Sequence, residues 1–454
     1  MMVKKVIALF FSILCAVSLI MIFYWKDSHF DPNLKDLLIY FICIPLLLTA
    51  LVILPFIAIG QYNKYQKNKQ EQLDKKQIEP AIVEQKKPIE WINLNLYSTS
   101  LQHALGENEA IFQNISGGIS AQLDALLSEN LQAGILSYRI EELDQALDEQ
   151  QQNNAIYRIN HMILNQLELN QEALIVIADQ LKQSALFYDS QQAYAYKMHP
   201  KWIDPNAASE EMDTPPAKPM QRLNYLNIHI FLSKQIQSIW DESTCSEEIE
   251  MFIDNLGIIS QQLRIHFHYF DSQNSYLALL DLFKHIAHQN HEVSLLVVAD
   301  SEIDEQILTT KFEIEHYIPS EFSSSCCLSH ESVTLDELEP IQTLQLALNE
   351  SQFAQVLKEL QLDDDELYEH DSPFIVVSND VFNIKNQKIL AQNFADTAIA
   401  SQHFIYGSLF LGHSQDLAEI FGFMLGTHLS GENFTSVYNT KNPSAQLLLR
   451  PFSA

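Results

Sequence analysis

The sequence predicts an α/β protein in which an N-terminal two-helix transmembrane hairpin precedes a layered body with two similar halves. Two long apolar runs occupy the first 62 residues. Short, continuous apolar runs that follow helical patterns indicate strands buried on both faces. One such run recurs about 120 residues later. The predicted segments are the hairpin (1–62), a basic linker (63–90), a first α/β half (91–220), and a second α/β half with a C-terminal Gly-His helix and closing strands (221–454).

The hairpin prediction rests on apolar length. The first run extends from Val6 to Trp25 and the second from Leu37 to Gly60. Each is long enough to cross a hydrocarbon core of about 30 Å. A cleaved signal peptide is the alternative, because Lys4 and Lys5 fit its basic start. The first run is long, however, and no small-x-small cleavage site follows it, which favours the hairpin.

Basic residues flank the hairpin on both outer sides. Since Lys and Arg next to membrane ends stay on the cytoplasmic side, the body is expected in the cytoplasm, attached to a bacterial inner membrane. The linker that follows is rich in Gln, Lys and Glu, and a helical extension of the second span over Gln61–Gln77 is the alternative. The flanking residues are Lys4, Lys5, Lys64, Lys67 and Lys69.

Charge and composition exclude several classes of function. The chain has 58 acidic and 27 basic side chains, whereas binding of nucleic-acid phosphates needs clustered Lys and Arg. Five cysteines are too few for a disulfide scaffold. Residues 1–90 hold 11 basic and 8 acidic side chains, so the remainder carries a net charge of about −34. Such a surface favours basic protein partners, or it serves solubility alone.

The body begins with an alternating strand pattern from Trp91 to Tyr97. Apolar residues spaced by three and four predict helices over Ile119–Leu131 and Ile140–Leu147. Another strand is predicted from Leu223 to Leu232.

A weak internal repeat follows. The run Ala173–Asp179 recurs as Val293–Asp300, and Phe374–Asn379 is a looser third copy. Helical patterns precede the first two, at Ala155–Leu169 and Ser275–His288. Helix–strand units of this kind predict an α/β layered body. The recurrence indicates either a duplication or a chance likeness between two core strands.

The C-terminal region has a third recognisable pattern. Leu409–Gly426 predicts a strand end, a Gly-His turn and then a helix, for which Ser414 would be the N-cap. Phe434–Asn439 and Ser444–Arg450 predict a closing hairpin. This tail resembles the end of the ketosynthase (thiolase-like) fold, and the resemblance implies a body of two similar α/β halves.

The chain also resembles, over more of its length, the type VI secretion accessory proteins that include the lipase adapters. The resemblance rests on the N-terminal membrane segment, the strand at Trp91–Tyr97, a central piece from Phe267 to Asp300, and the tail from Leu411 to Pro451. It covers about half of the body and implies a scaffold or adapter. The two-helix anchor departs from those adapters.

A ketosynthase needs a cysteine nucleophile at a strand-to-helix turn and two histidines, or a histidine and an asparagine, beside it. The best candidates are Cys326 and Cys327, with His330 close in sequence and His413 at the Gly-His turn. These cysteines lie late in the chain, and no Gly-rich loop surrounds them. Cys245 lies in an acidic context that disfavours its thiolate. The sequence therefore predicts no catalytic residue, with these four as the alternative set.

Two further histidines suggest a metal site and are weighed against it. His266 and His268 alternate as on a strand, and Asp271 and His285 would complete a ligand set. A half-exposed strand edge explains the alternation better. The sequence therefore predicts no metal and no cofactor.

The predicted function is a non-catalytic, membrane-anchored scaffold or adapter of type VI secretion, which recruits machine or effector proteins through a degenerate thiolase-like body. The alternative is a membrane-bound, ketosynthase-like acyl-transfer enzyme that uses Cys326 or Cys327. Protein partners and the membrane are expected, and nucleic acid is not. The sequence leaves the oligomeric state open.

Overall fold

The computed structural model describes residues 17–20, 23–24, 27, 88–196, 222–311, 317–363, 374–377, 384–407, 416–429 and 434–452. Met1–Lys87 and Pro88–Ala454 form two compact units. The second unit contains the sheet and its flanking helices.

The elements of this unit follow one another with short connections. The strands are β1 Glu90–His103, β2 Gly106–Glu107, β3 Gln122–Leu123, β4 Leu136–Ser137, β5 Tyr225–Ser233, β6 Leu263–Phe270, β7 Glu292–Ser301, β8 Glu321–His330, β9 Gln342–Leu348, β10 Phe374–Val377, β11 Phe404–Tyr406, β12 Thr435–Tyr438 and β13 Ala445–Pro451. The helices are α1 Glu109–Ser116, α2 Ala125–Leu131, α3 Glu141–Ala146, α4 Ala155–Leu169, α5 Gln171–Tyr196, α6 Glu242–Asn255, α7 Ser275–Ile286, α8 Glu305–Lys311, α9 Phe353–Glu359, α10 Ile384–Asn393 and α11 Ala418–His428.

In the described residues one large mixed sheet has the order β11-β10-β12-β13-β9-β1-β8-β7-β5-β6, and β2 pairs with β1. Strand β5 is parallel to β6 and β7, and β10 is parallel to β11 and β12. The antiparallel strands β13, β9, β1 and β8 join these two parallel groups. A mixed sheet with packed helices confirms the predicted α/β class.

Helices cover both faces of the sheet, because successive side chains of a strand point to opposite sides. On one face, α7 and α11 pack over a core that includes Cys326 and Leu328. On the other face, α4, α5 and α6 pack over a core that includes Cys327 and Ile228. The central strands are therefore excluded from water on both sides.

Most of the predicted body elements are confirmed. Trp91–Tyr97 lies within β1, and Leu223–Leu232 overlaps β5. Helix α4 has the predicted bounds Ala155–Leu169, and α7 occupies most of Ser275–His288. Val293–Asp300 lies within β7. The tail contains the predicted helix, α11, and its closing hairpin, β12 with β13.

The strand predicted at Ala173–Asp179 is wrong, since these residues belong to α5. Ala173, Leu174, Ile177 and Ala178 are buried, and their spacing by one, three and four is that of a helix face. A continuous apolar run fits a buried helix as well as a buried strand. The sequence evidence for two similar halves is lost with this strand, whereas the large α/β sheet stands.

The predicted hairpin falls almost wholly outside the described residues. Val6–Trp25 is described only at 17–20 and 23–24, and Leu37–Gly60 is not described. Where the chain is described, no helix is long and apolar enough to cross a membrane. The linker up to residue 87 and the predicted boundary at 220/221 also lie outside, so these limits stay predictions. The same holds for Lys4, Lys5, Lys64, Lys67 and Lys69.

A buried ion network attaches α4 to the sheet. The side chains of Arg158 on α4 and Glu321 on β8 are both fully buried. The Nε of Arg158 donates to Glu321 Oε2 over 2.7 Å, and its Nη1 also bonds to Asp144 of α3. Glu321 in turn accepts hydrogen bonds from Ile140 N and Ser301 Oγ. Each buried charge therefore has partners of the opposite charge or hydrogen-bond donors, as burial of an ion pair requires.

Candidate active site

A cavity of about 360 Å³ lies between the sheet and α7. We call it the histidine pocket. Strands β5 and β6 form its floor, and α7 forms one wall. A largely apolar cavity with a few converging polar groups is the common form of a small-molecule site. Its lining comprises four imidazoles (His229, His266, His268, His285), four apolar side chains (Phe231, Phe270, Ala278, Leu282) and three further polar ones (Asn227, Arg264, Gln289).

The parallel register of β5 and β6 brings these residues together. His229 lies opposite His266, and Phe231 lies opposite His268. Because side chains alternate along a strand, every second residue of both strands faces the pocket. The intervening residues Ile228, Ile230 and Leu232 face the opposite core.

His229 has an unusual hydrogen-bond balance. The residue is only 4% exposed. Its Nδ1 lies 3.0 Å from Nε2 of His268, and its ring stacks on His266 with 5.0 Å between ring centroids. Its Nε2 is buried and has no hydrogen-bond partner within the described part of the chain. An unpartnered buried polar atom is costly, so this atom is suited to bind a polar group of a ligand.

The pocket keeps its imidazoles uncharged. Burial, reinforced by the neighbouring histidines, lowers the pKa of His229 to about 3. Burial and then the charge of His266 lower the pKa of His268 to about 4. Burial and the Arg264 charge also lower the pKa of His266. A neutral imidazole carries one donor and one acceptor nitrogen, and it can polarise a carbonyl group without giving up its proton.

The charged end of the pocket is already satisfied by internal contacts. Arg264 Nη1 lies 3.3 Å from Glu292 Oε1, and Asn227 Nδ2 donates to Glu292 Oε2 over 2.8 Å. At the helix side, Gln289 Oε1 is buried and has no partner in the described ranges. The atoms left for a ligand are therefore His229 Nε2 and Gln289 Oε1.

The predicted thiol candidates lie far from any turn. Cys326 and Cys327 are in the middle of β8, and their side chains enter opposite cores of the sheet. They are 0% and 1% exposed. Burial raises the pKa of the Cys326 thiol well above its ordinary value and that of Cys327 to about 12. Neither thiol is ionised or accessible, as a nucleophile must be.

The histidine partners proposed for these thiols are not beside them. His330 ends β8, where its Nδ1 lies 2.7 Å from Ser332 Oγ. At about 3.3 Å per residue, the Cα atoms of Cys327 and His330 are about 10 Å apart, and their odd spacing puts their side chains on opposite faces. His413 lies outside the described residues. Burial and then Glu248 and Asp241 raise the pKa of Cys245 to about 12, in the direction that its acidic context predicts.

The metal alternative weighed from the sequence is not assembled. Asp271 contacts Lys234 at 3.5 Å and accepts a hydrogen bond from Gln273 N, so it does not join the histidines. In the described ranges, no group of three or more His, Cys, Asp or Glu side chains is arranged to hold a metal ion. Strand β6 is indeed the end strand of the sheet order, but His266 and His268 face the pocket.

The sequence analysis missed His229, which the structure places at the centre of the pocket. The available signal was a histidine inside a strand whose other residues are nearly all apolar, Leu226-Asn-Ile-His-Ile-Phe-Leu232. A buried strand seldom carries a polar residue without a partner. The partner is on β6, and pairing of β5 with β6 is not visible in the sequence.

No protein-family model and no curated protein matches the chain. Among solved structures, it is similar to the ketosynthase from module 6 of the bacillaene synthase of Bacillus subtilis 168, at 7% identity over 80% of this chain and 72% of that chain, with a TM-score of 0.46. An oxazolomycin ketosynthase domain of Streptomyces albus JA3453 is 10% identical over 80% and 75%, with a TM-score of 0.45. The ishigamide ketosynthase/chain length factor is 9% identical over 80% and 100%, with a TM-score of 0.39. These similarities assign no role to any residue.

The comparisons correct two predictions. The similar solved structures are ketosynthases, which contradicts the prediction of a non-catalytic pseudoenzyme. The type VI secretion assignment finds no support among them. The thiolase-like part of the fold prediction agrees with them, and so does the ketosynthase-like enzyme that was the alternative function.

Proposed function

We propose that the chain is an enzyme of acyl chemistry whose active site is the histidine pocket rather than a cysteine. One observation carries this proposal. A neutral, buried imidazole, His229, directs an unpartnered Nε2 atom into a mostly apolar cavity. Clustering of groups with perturbed pKa values in a cavity is typical of catalytic sites.

The histidine pair supplies the hydrogen bond that activates the acyl group. His268 Nε2–H donates to His229 Nδ1, so the proton of His229 lies on Nε2 and points to the carbonyl oxygen of the substrate. A fixed donor at this position stabilises the negative charge that develops on the oxygen. Hydrogen bonds in series strengthen one another in a low-dielectric site. Because the pKa of His229 is about 3, the ring stays a neutral donor.

The opposite wall supplies the proton acceptor. His285 of α7 lines the same cavity and takes a proton from the water that attacks the carbonyl carbon of a thioester. The new C–O bond forms and the C–S bond breaks. The departing thiolate recovers the proton from His285, which returns the site to its starting state. Phe231, Phe270 and Leu282 contact the acyl chain.

The test is turnover of a panel of short acyl thioesters by the full-length chain, measured as thiol release. We expect His229→Gln to lower the rate by about 10²- to 10³-fold, the usual loss when one such donor is removed. Cys326→Ala and Cys327→Ala should leave the rate unchanged. His288→Gln is the matched control, because His288 is exposed. No turnover by the folded wild-type chain, or a loss confined to the cysteine variants, would contradict the proposal.

We also propose, from the sequence alone, that the hairpin holds this enzyme at a bacterial inner membrane with the body in the cytoplasm. Protein partners of the acidic body belong to the same proposal.

A further inference from the structure

Four large apolar side chains are exposed within one short stretch of the chain. Leu123 is 66% exposed, Leu136 is 48% and Ile119 is 45%. Leu126 is 38% exposed. Single exposed apolar residues need no explanation, but a contiguous group on a soluble surface indicates an interaction site. We call this group the leucine patch.

Local structure holds these side chains together. Leu123 of β3 lies directly opposite Leu136 of β4 in a two-stranded ribbon. Leu126 follows on α2, whose other face buries Leu127 against Ile303 and Leu308. The Asp124 side chain accepts a hydrogen bond from Leu127 N and so fixes the start of α2. The helix is therefore anchored by one face, and Leu126 is left outside.

A cleft of about 470 Å³ adjoins the patch. Ile119, Leu123 and Leu126 line it on one side. Glu141 and Glu142 of α3 line it on the other side. Both glutamates are exposed, and neither has a basic partner in the described residues. Arg139 in the same cleft is already bound to Asp124 and Asp144, so the two glutamates are not neutralised from within.

We propose that the leucine patch and its cleft bind a basic amphipathic segment of a partner protein. Aliphatic side chains of the partner pack on Leu123 and Leu136, and its Lys or Arg residues pair with Glu141 and Glu142. Charge complementarity selects this occupant. A second copy of the chain would bring two acidic rims together, and an anionic lipid surface would be repelled by them. The site is separate from the histidine pocket and does not depend on the proposed reaction.

The probe is a synthetic amphipathic peptide of about 15 residues, long enough for a helical face, made of Leu and Lys and fluorescently labelled. Its affinity for the full-length chain is measured by anisotropy at low and high salt. We expect Leu123→Ser with Leu136→Ser to weaken binding by about tenfold or more, because these are the apolar anchors. Glu141→Gln with Glu142→Gln should weaken it by about threefold and reduce its salt dependence.

Matched controls remove the same chemistry elsewhere. Met251→Ser removes a side chain that is 66% exposed on α6, and Glu247→Gln with Glu250→Gln removes two exposed acids from the same helix. These variants should bind the peptide as the wild type does. Equal weakening by the controls, or equal binding of a peptide with Ser in place of Leu, would show attraction by net charge only and overturn the proposal. Self-association abolished by Leu123→Ser, or binding to phosphatidylglycerol vesicles through the patch, would overturn it as well.

Discussion

Individual buried imidazoles are the most informative residues of this protein. His229, His268, His103 and His428 are all shielded from water, and burial lowers the pKa of each. Two of them, His229 and His268, share a hydrogen bond in a cavity. The thiols are shielded as well, but they lie inside the two cores with no cavity beside them. Access, rather than residue type, therefore distinguishes the histidine pocket from the cysteines.

His268 acts as a positioning residue for His229. His268→Phe keeps a ring of similar size but removes the bond to His229 Nδ1, so the tautomer of His229 is no longer fixed. We expect kcat for thioester cleavage to fall by about tenfold with little change in KM, because the lost interaction acts on the transition state. A rise in KM at constant kcat would instead assign His268 a role in substrate binding only.

His103 provides a test of pH-dependent stability away from the pocket. It is 2% exposed, and burial lowers its pKa to about 3. Between the ordinary pKa of about 6.5 and about 3, the unfolded chain binds the proton and the folded chain does not. The free energy of unfolding therefore falls as the pH falls through this window, by up to about 1.4 kcal/mol per pH unit for this group.

The measurement is urea unfolding of the wild type and of His103→Gln from pH 7 to pH 5. The difference between the two isolates His103 from the carboxylates and from the other histidines. We expect the variant to lose stability less steeply below pH 6.5. Parallel curves for the two proteins would show that His103 is not kept neutral by burial.

Among the elements, α4 depends on one buried ion pair for its attachment to β8. Arg158→Met removes the guanidinium and leaves Glu321 charged and buried. We expect a loss of about 3–5 kcal/mol in the free energy of unfolding, as for other broken buried pairs. Lys284→Met is the control, because Lys284 pairs with Asp281 on the surface of α7, and it should change stability by less than about 0.5 kcal/mol. Similar losses from both variants, measured in urea, would refute the assigned role.

Elements with one strong period were predictable from the sequence. The bounds of α4 and the position of β7 follow from helical spacing and from a continuous β-branched run. Helix α5 was mistaken for a strand because Ala173–Asp179 is apolar throughout, and local composition does not separate the two cases. Strand pairing was not predictable, because β5 and β6 are separated by α6 and β8 pairs with the distant β1. The histidine pocket depends on that pairing, so only its β6 half was visible in advance.

At the scale of the whole molecule, the two units pose separate questions. The Pro88–Ala454 unit contains the sheet, the histidine pocket and the leucine patch. The predicted hairpin belongs to the other unit and rests on apolar length alone. The strongly acidic balance of the chain, 58 acidic against 27 basic side chains, argues against nucleic acid as a partner and favours basic proteins.

The hairpin predicts that the full-length chain stays in the membrane pellet after extraction at alkaline pH. Deletion of residues 1–62 should release the body into the soluble fraction, because about 20 apolar residues per span supply the attachment. Protease added outside intact spheroplasts should leave the body uncut if it faces the cytoplasm. Extraction of the full-length chain by alkali would contradict the anchor, and cleavage of the body would contradict its orientation.

The central claim is that the histidine pocket binds the reacting carbonyl group. The most direct test is a crystal structure of the chain with a non-cleavable acyl ketone analogue of a short thioester. We predict that the carbonyl oxygen lies about 3 Å from His229 Nε2, with the acyl chain against Phe231 and Phe270. An analogue bound next to Cys326 or Cys327, or one bound elsewhere while the histidine pocket stays empty, would contradict the account.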